Sequence, residues 1–203
     1  MLTPAPSICT LRKFRFWIWI SFSVLGVISG NYNAPVENQS PIQIRLIERD
    51  EWFAAKRLIY RVAQGVFNDP LPLEESIARH EERGELSDMD DIQKSYFEND
   101  GIFFVMTKDE EIVGTGAIRR HADDICELKR LWLLREYQGK GLGYRMIQEL
   151  LAFARSAGYR RIRLETDSVY QKRAVEFYKR IGFHVVPIPD ASADEDVLME
   201  MDL

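Results

Sequence analysis

Short runs of alternating apolar and polar residues are separated along this chain by stretches in which apolar residues recur every three or four positions. Residues 42–47 (IQIRLI) alternate and therefore predict a β-strand. Between residues 52 and 66 the apolar positions follow helical spacing, which predicts an α-helix. Residues 68–95 are acidic and include Pro70 and Pro72, so one or two short helices joined by loops are expected there.

The pattern after residue 95 predicts mostly strands. In chain order it gives strands at 102–107 and 112–118 joined by a charged turn, a strand at 128–134, a helix at 146–157, a strand at 161–165, a helix at 174–181, and strands at 183–188 and 197–203. Gly158 and Gly182 stand where the two helices are expected to end. This order of elements predicts a mixed sheet with helices on its faces.

The amino end has a different character. Basic residues between positions 12 and 15 precede an apolar run at 16–28, the form of a signal peptide or anchor. As a helix, those thirteen residues would rise about 20 Å, which is short for a membrane core of roughly 30 Å. The run is otherwise an extension of the folded domain or a misassigned start. Because 31–41 is polar and has two prolines, we expect an amino-terminal segment and linker over 1–41 and a domain over 42–203, with membrane contact through 12–30 if the segment is an anchor.

Composition excludes several classes of function. Hydrophobic residues make up 46% of the chain, which excludes a mostly disordered protein. The net charge of −5 gives no reason to expect a nucleic-acid partner. Two cysteines, Cys9 and Cys126, are too few for a disulfide framework or a four-cysteine zinc site, and there are only three histidines, so we expect no metal.

The glycine-rich turn at 138–143 (QGKGLG) carries the strongest chemical signal. Glycines allow successive backbone N–H groups to face one anion, and the helix predicted after the turn adds its positive end. Residues 127–163 contain nine Lys and Arg against three Asp and Glu, a local balance of +6. A phosphate-binding lysine loop would need Ser or Thr where Gly141 stands, and a dinucleotide fingerprint would need glycine where Tyr144 stands. A plain turn without a ligand is the remaining alternative.

The turn resembles the acetyl-CoA pyrophosphate loop of the GCN5-related N-acetyltransferases (GNAT superfamily), whose motif is Gln/Arg-x-x-Gly-x-Gly/Ala. Residues 174–183 (AVEFYKRIGF) are similar to a second conserved segment of that family. The resemblance covers roughly 42–203. It implies an α/β (α+β) fold with a mixed, mostly antiparallel central sheet of six to seven strands flanked by about four helices.

The resemblance also implies an activity. The chain is expected to be a cytoplasmic N-acetyltransferase that moves the acetyl group of acetyl-CoA, its co-substrate, directly to a primary amine of a small molecule or peptide. A homodimer is compatible with this expectation. Two other functions stay open: a non-catalytic acyl-CoA binding or sensing domain, and an exported protein whose glycine turn binds no coenzyme.

Site residues follow from the same resemblance. The implied coenzyme-binding residues are Gln138, Gly139, Lys140, Gly141, Leu142 and Gly143 of the loop, the backbone of Leu133, Leu134 and Arg135, and Gln171, which stands where family members often carry Asn. A backbone amide at a bulge in the preceding strand would polarise the thioester carbonyl.

Two residues are expected to move protons. Tyr178 would protonate the departing thiolate, and its ordinary pKa of about 10 keeps the hydroxyl protonated at neutral pH. Glu127 lies in a Glu-Leu-Lys-Arg sequence that related acetyltransferases place in the substrate site, where it would act as a base or bind the amine's charge. Alternatively, Tyr178 is a core residue and Glu127 an exposed acid at a strand end. The acidic stretch at 85–91 is expected to line an acceptor entrance or a solvated face.

Overall fold

A computed structural model describes residues 41–188 and 196–203. The predicted amino-terminal signal or anchor lies outside these residues. In chain order the elements are β1 (Gln43–Leu46), α1 (Trp52–Val66), α2 (Leu73–Glu82), α3 (Ile92–Ser95), β2 (Ile102–Lys108), β3 (Glu111–Ala122), β4 (Ile125–Leu133), α4 (Leu142–Ser156), β5 (Arg161–Asp167), α5 (Lys172–Arg180), β6 (His184–Val186) and β7 (Asp196–Asp202). Short 3-10 turns occur between several of them.

The seven strands form one sheet in the order β1-β2-β3-β4-β5-β7-β6. Every neighbouring pair is antiparallel except β4 and β5, which run parallel because α4 carries the chain back across the sheet. The predicted mixed, mostly antiparallel sheet with helices on its faces is therefore confirmed.

Successive side chains of a strand point to opposite faces of the sheet, and the two faces pack in different hydrophobic clusters. On β2, Phe103 and Val105 pack in one cluster with Ile59 of α1 and Tyr96 beside α3. Met106 of the same strand belongs to the second cluster, which contains the buried faces of α4 and α5. The sheet is thus covered by α1 and α3 on one side and by α4 and α5 on the other.

The parallel pair is short, and this feature creates the site. β4 pairs with β5 only from Ile125 opposite Arg161 to Glu127 opposite Arg163. Beyond Glu127, β4 continues to Leu133 and β5 to Asp167 without pairing to each other. Backbone groups on the facing edges are therefore left without a neighbouring strand, and a cleft opens between them.

Two strand boundaries differ from the sequence-based prediction by three residues or more. β4 begins at Ile125 instead of residue 128, and β3 extends to Ala122 instead of ending at 118. The cause is that Glu127 pairs across the hairpin with Arg119, so a charged residue lies inside a strand. Among residues 41–188 and 196–203, no helix has the length and hydropathy needed to cross a membrane.

Candidate active site

The glycine turn leads from the end of β4 into α4. Gly139 and Gly141 have φ angles of 74° and 76°, in the left-handed region that favours glycine, and nothing lies within 4 Å of where a Cβ would stand. Leu142 and Gly143, predicted as loop residues, form the first turn of α4. Within the described residues, no backbone N–H from Gly139 to Tyr144 donates to an acceptor. The turn therefore presents unpaired N–H groups at a helix N-terminus, an arrangement suited to an anion.

Two side-chain contacts stabilise the glycine turn. The Gln138 side-chain amide donates to the carbonyl of Leu133 at 2.9 Å, which fixes the turn against the last residue of β4. The ammonium of Lys140 lies 5.6 Å from the centre of the Tyr137 ring, within cation–π distance. Lys140 is itself exposed, so its charge faces solvent beside the unpaired amides.

A cavity of about 340 Å³ occupies the cleft between β4 and β5. Its walls come from residues 128–132 of β4, residues 164–167 of β5, Gln171 and Tyr178 of the α5 region, and the side chains of Phe67 and Asp196. The shape is that of an open slot between two strand edges. An extended ligand would fit it by lying alongside β4 as an additional strand would.

Tyr178 is 7% exposed and lies on the wall of this cleft. Its ring packs between those of Phe177 and Phe183, with centroids at 5.5 and 5.6 Å. No described residue hydrogen-bonds the hydroxyl, and burial raises the pKa of Tyr178 well above its ordinary value. The residue is thus both a core residue and a protonated hydroxyl at the cleft, which combines the two interpretations of the sequence.

Gln171 lies at the opposite end of α5, at the helix N-cap position. Its side-chain oxygen accepts a hydrogen bond from the buried Thr166 hydroxyl at 2.6 Å, and both residues line the cleft. This bond fixes the carbonyl end of the amide and leaves its NH₂ group available to a ligand.

Not all of the backbone groups that were predicted to bind the coenzyme at the end of β4 are free of other hydrogen bonds. The N–H of Leu134 donates to Val113 at 3.0 Å, and its carbonyl accepts from Tyr137 at 2.9 Å. Because Leu134 bonds to β3, the N–H of Leu133 points to the other side of the strand, away from β3. In this conformation Leu133 and the exposed Arg135 can offer an N–H to a ligand, whereas Leu134 cannot.

Glu127 is buried, at 6% exposure, and lines neither this cleft nor the second cavity described below. Arg119 contacts its carboxylate at 2.8 Å and Lys129 at 3.4 Å. Burial would raise the pKa of Glu127, but Lys129 and Arg119 outweigh it and hold the pKa below its ordinary value. The carboxylate is therefore a charged, ion-paired group, and the expectation of an exposed strand-end acid is wrong.

A second cavity of about 420 Å³ lies between α1, α2 and β4. Aromatic and polar side chains line its wall, and two of them contact acidic residues of the fold: Arg79 contacts Asp69 at 2.7 Å and His80 contacts Glu85 at 2.8 Å. Phe67, Arg130 and Trp132 line this cavity and the cleft, so the two spaces adjoin.

Arg130 is a site residue that the sequence did not indicate. It has a φ of 55°, rare for a residue with a side chain, at a place where the β3–β4 register shifts. Its guanidinium binds Asp88, a member of the acidic 85–91 stretch. Asp88 thus forms a buried ion pair and belongs neither to a solvated face nor to an acidic entrance.

Nothing in the described part of the chain suggests metal or thiol chemistry. No group of three or more His, Cys, Asp or Glu side chains is arranged there to hold a metal ion. Cys126 is fully buried, and burial raises the pKa of its thiol to about 12. A thiol so far from ionisation is a poor nucleophile.

The fold and the loop agree with comparisons to known proteins. Residues 67–183, more than half of the chain, match the sequence model of the acetyltransferase (GNAT) family. The chain belongs to this family.

Curated relatives match about half of the chain. A probable N-acetyltransferase camello of Xenopus tropicalis is 35% identical over 99 residues, which are 47% of this chain and 45% of that protein. The uncharacterized N-acetyltransferase YjgM of Escherichia coli K12 is 31% identical over 98 residues, 47% of this chain and 58% of that protein. The chain thus spans about half the length of the curated relatives it matches.

Solved structures support the fold. A GNAT-family acetyltransferase from Staphylococcus aureus Mu50 has a TM-score of 0.65 at 18% identity, covering 80% of this chain and 99% of that one. The PaiA N-acetyltransferase of Thermoplasma acidophilum, solved in complex with coenzyme A, has a TM-score of 0.64 at 20% identity, with the same coverage. At these identities the likeness concerns the fold alone.

Proposed function

We propose that residues 42–203 form an N-acetyltransferase domain that transfers the acetyl group of acetyl-CoA directly to a primary amine. One observation carries the proposal: unpaired N–H groups at the start of α4 lie at the end of β4, along the same strand that borders a cleft containing a protonated Tyr178 hydroxyl. An anion site, a slot for an extended arm and a proton donor are the three features that a coenzyme A thioester requires.

The pyrophosphate would bind the loop from Gln138 to Gly143, with the N–H groups of Gly139 to Gly143 as donors and Lys140 as a nearby cation. The pantetheine arm would follow β4 toward Arg135: the N–H of Leu133 points away from β3, and no described residue accepts from the N–H of Arg135. The Gln171 amide faces the same slot from α5. These donors lie along one path from the loop into the cleft.

In the reaction, the neutral amine attacks the thioester carbonyl carbon and the carbon–sulfur bond breaks. The departing thiolate takes the Tyr178 proton, the nitrogen loses its extra proton to water, and water returns a proton to Tyr178 before the next turnover. Tyr178 can serve because its hydroxyl is protonated at neutral pH and lies on the wall of the cleft in which the thiolate forms. Glu127 lines neither cavity, so it would act at a distance: its charge would attract the ammonium group of the arriving acceptor, or it would accept a proton from the amine through water.

The acceptor would occupy the second cavity. The space adjoins the cleft through Phe67, Arg130 and Trp132, and its volume of about 420 Å³ suits a small molecule or the end of a peptide. An amine held there could reach a thioester in the cleft without crossing the sheet.

The loop assignment can be tested by a matched pair of substitutions, Gly141→Asp and Gly141→Asn. Both place a side chain of equal size in a left-handed residue with open space around it, so both should fold. Only Asp adds a negative charge beside the pyrophosphate. At about 6 Å and an effective dielectric constant of roughly 40, one unit charge costs about 1.4 kcal/mol, a tenfold loss of affinity for each phosphate charge.

Titration of acetyl-CoA by calorimetry measures the difference between the two variants. Wild type should bind and gain thermal stability with ligand concentration, Asn should bind more weakly, and Asp at least tenfold more weakly than Asn. Equal affinity for Asp and Asn would refute the loop assignment. Coenzyme A release with a panel of amines then tests catalysis: tight binding without turnover of any amine would favour the sensing alternative.

A further inference from the structure

β4 contains a bulge whose backbone conformation is unfavourable without stabilising contacts. Arg130 adopts a left-handed φ of 55°, and the register with β3 changes between Thr115, opposite Trp132, and Ala117, opposite Lys129. One extra residue is therefore accommodated on β4, as in a β-bulge. A conformation that side chains disfavour persists only where surrounding contacts impose it.

One contact fixes the direction of a peptide plane. The buried Thr115 hydroxyl of β3 donates to the carbonyl of Arg130 at 2.7 Å. In a trans peptide the carbonyl and the following N–H point in opposite directions. Because the Arg130 carbonyl faces β3, the N–H of Leu131 faces away from β3, toward the cleft that Leu131 lines.

A second set of contacts holds the side chain of the same residue. Arg130 binds Asp88 through two nitrogens, with Nε donating to Oδ2 at 3.0 Å and Nη2 to Oδ1. The hydroxyl of the fully buried Tyr96 donates to Asp88 as well. The side chains of Asp88 and Arg130 are only 12% and 20% exposed, so water screens the pair weakly.

We propose that Asp88 and Thr115 are positioning residues that aim the Leu131 N–H at the thioester carbonyl, Asp88 by clamping the Arg130 side chain and Thr115 by holding the Arg130 carbonyl. The inference rests on the proposed acetyltransferase function. In the addition step the carbonyl oxygen gains negative charge, and an N–H already aimed at it stabilises that charge without reorganising. Neither positioning side chain lines the cleft or the second cavity, so both act through the bulge.

The ion pair of Asp88 with Arg130, called the clamp below, also links two parts of the site. Asp88 belongs to the connection between α2 and α3, and Arg130 lines both the cleft and the acceptor cavity. The wall on the acceptor side is therefore tied by a buried ion pair to the strand that faces the thioester.

Asp88→Asn and Thr115→Val test the proposal with little change in side-chain volume. Asp100→Asn is the matched control, since Asp100 also contacts an arginine, Arg120, through Nε and Nη2, but in an exposed pair that lines neither cavity. Enzyme concentrations are set by coenzyme titration, so that only folded, binding-competent protein is counted. We expect kcat to fall at least tenfold in Asp88→Asn and in Thr115→Val, with acetyl-CoA affinity within about twofold of wild type and the control unchanged.

A purely structural role predicts a different result: lower melting temperatures but wild-type kcat per binding site, which would overturn the proposal. The backbone ¹⁵N–¹H signal of Leu131 supplies a readout that needs no turnover. It should shift in Asp88→Asn and Thr115→Val and stay in place in Asp100→Asn, and an unmoved signal would also overturn the proposal. If wild type neither binds acetyl-CoA nor acetylates any amine, the proposed function fails, whereas the Leu131 signal still reports whether the clamp sets the bulge.

Discussion

Tyr178→Phe separates the two roles of this residue, because the ring belongs to the core and the hydroxyl to the cleft. The ring packs against Phe177 and Phe183 and is kept in the variant. The hydroxyl bonds to no described residue, so its removal breaks no intramolecular hydrogen bond. The free energy of unfolding should therefore change by less than about 0.5 kcal/mol, or roughly 1–2 °C in Tm for a chain of this size.

Turnover should respond much more strongly. A general acid contributes about 10²-fold or more to rate, so kcat should fall by at least two orders of magnitude, about 2.7 kcal/mol in activation free energy. Because burial raises the pKa of Tyr178, its hydroxyl stays protonated over the assay range of about pH 6 to 9. The loss should accordingly be the same across that range, and acetyl-CoA affinity should not change.

Tyr159→Phe is the matched control. Tyr159 is also a buried tyrosine of the same core, but its hydroxyl donates to the Asp100 carbonyl at 2.9 Å and it lines neither cavity. This variant should lose about 1 kcal/mol of stability and keep wild-type kcat. The time course of coenzyme A release gives kcat for each variant, and thermal melts give its stability, so the two variants can be compared. Wild-type turnover in Tyr178→Phe would show that the thiolate leaves unassisted or is protonated by water, and the assignment would be refuted.

Two further predictions concern Glu127 and the domain boundary. Glu127→Gln should lower the free energy of unfolding at pH 7 by about 1–3 kcal/mol, because Arg119 and Lys129 lose their charged partner. Since the pKa of Glu127 is lowered in the fold, its stabilising effect is present above the unfolded pKa near 4.5 and is lost as the pH falls toward the folded pKa. Denaturant titrations should therefore show a smaller difference in stability between wild type and Glu127→Gln at pH 4 than at pH 7. The pH–rate profile of the variant will lose its acidic limb only if Glu127 is a base. A protein of residues 42–203 should fold and bind acetyl-CoA with the affinity of the full chain, and an insoluble or non-binding product would contradict the proposed boundary.

The spacing of apolar residues and the positions of glycine, proline and polar turn residues were sufficient to predict the order of the elements. The buried faces of α1 and α4 follow the helical spacing of their apolar residues, and the glycines of 138–143 adopt the conformations for which glycine is needed. These features depend on residues near one another in sequence. The conformation of the turn could therefore be predicted from sequence, whereas the coenzyme-binding role of the loop and the acid role of Tyr178 rest on the family resemblance and stay predictions.

The features that were missed depend on distant partners. Glu127 is buried inside β4 because Arg119 and Lys129 neutralise it, and nothing in the strand pattern favours a buried acid. Asp88 lies 42 residues before Arg130, in an acidic stretch whose composition suggests a solvated surface. A left-handed arginine leaves no trace in sequence, because the residue itself disfavours that conformation and only tertiary contacts impose it.

The parting of β4 from β5 explains why the proposed acid and the proposed amide donor come from different elements. If the strands stayed paired, β5 would satisfy the edge of β4 and the Leu131 N–H would have a partner within the sheet. Once they separate, β5 carries α5 and Tyr178 along one wall, and the bulge sets Leu131 on the other. The clamp on Arg130 therefore has a mechanical reason: a strand without a neighbour on one side has lost the contacts that would otherwise fix its shape, and a buried ion pair from the α2–α3 connection replaces them.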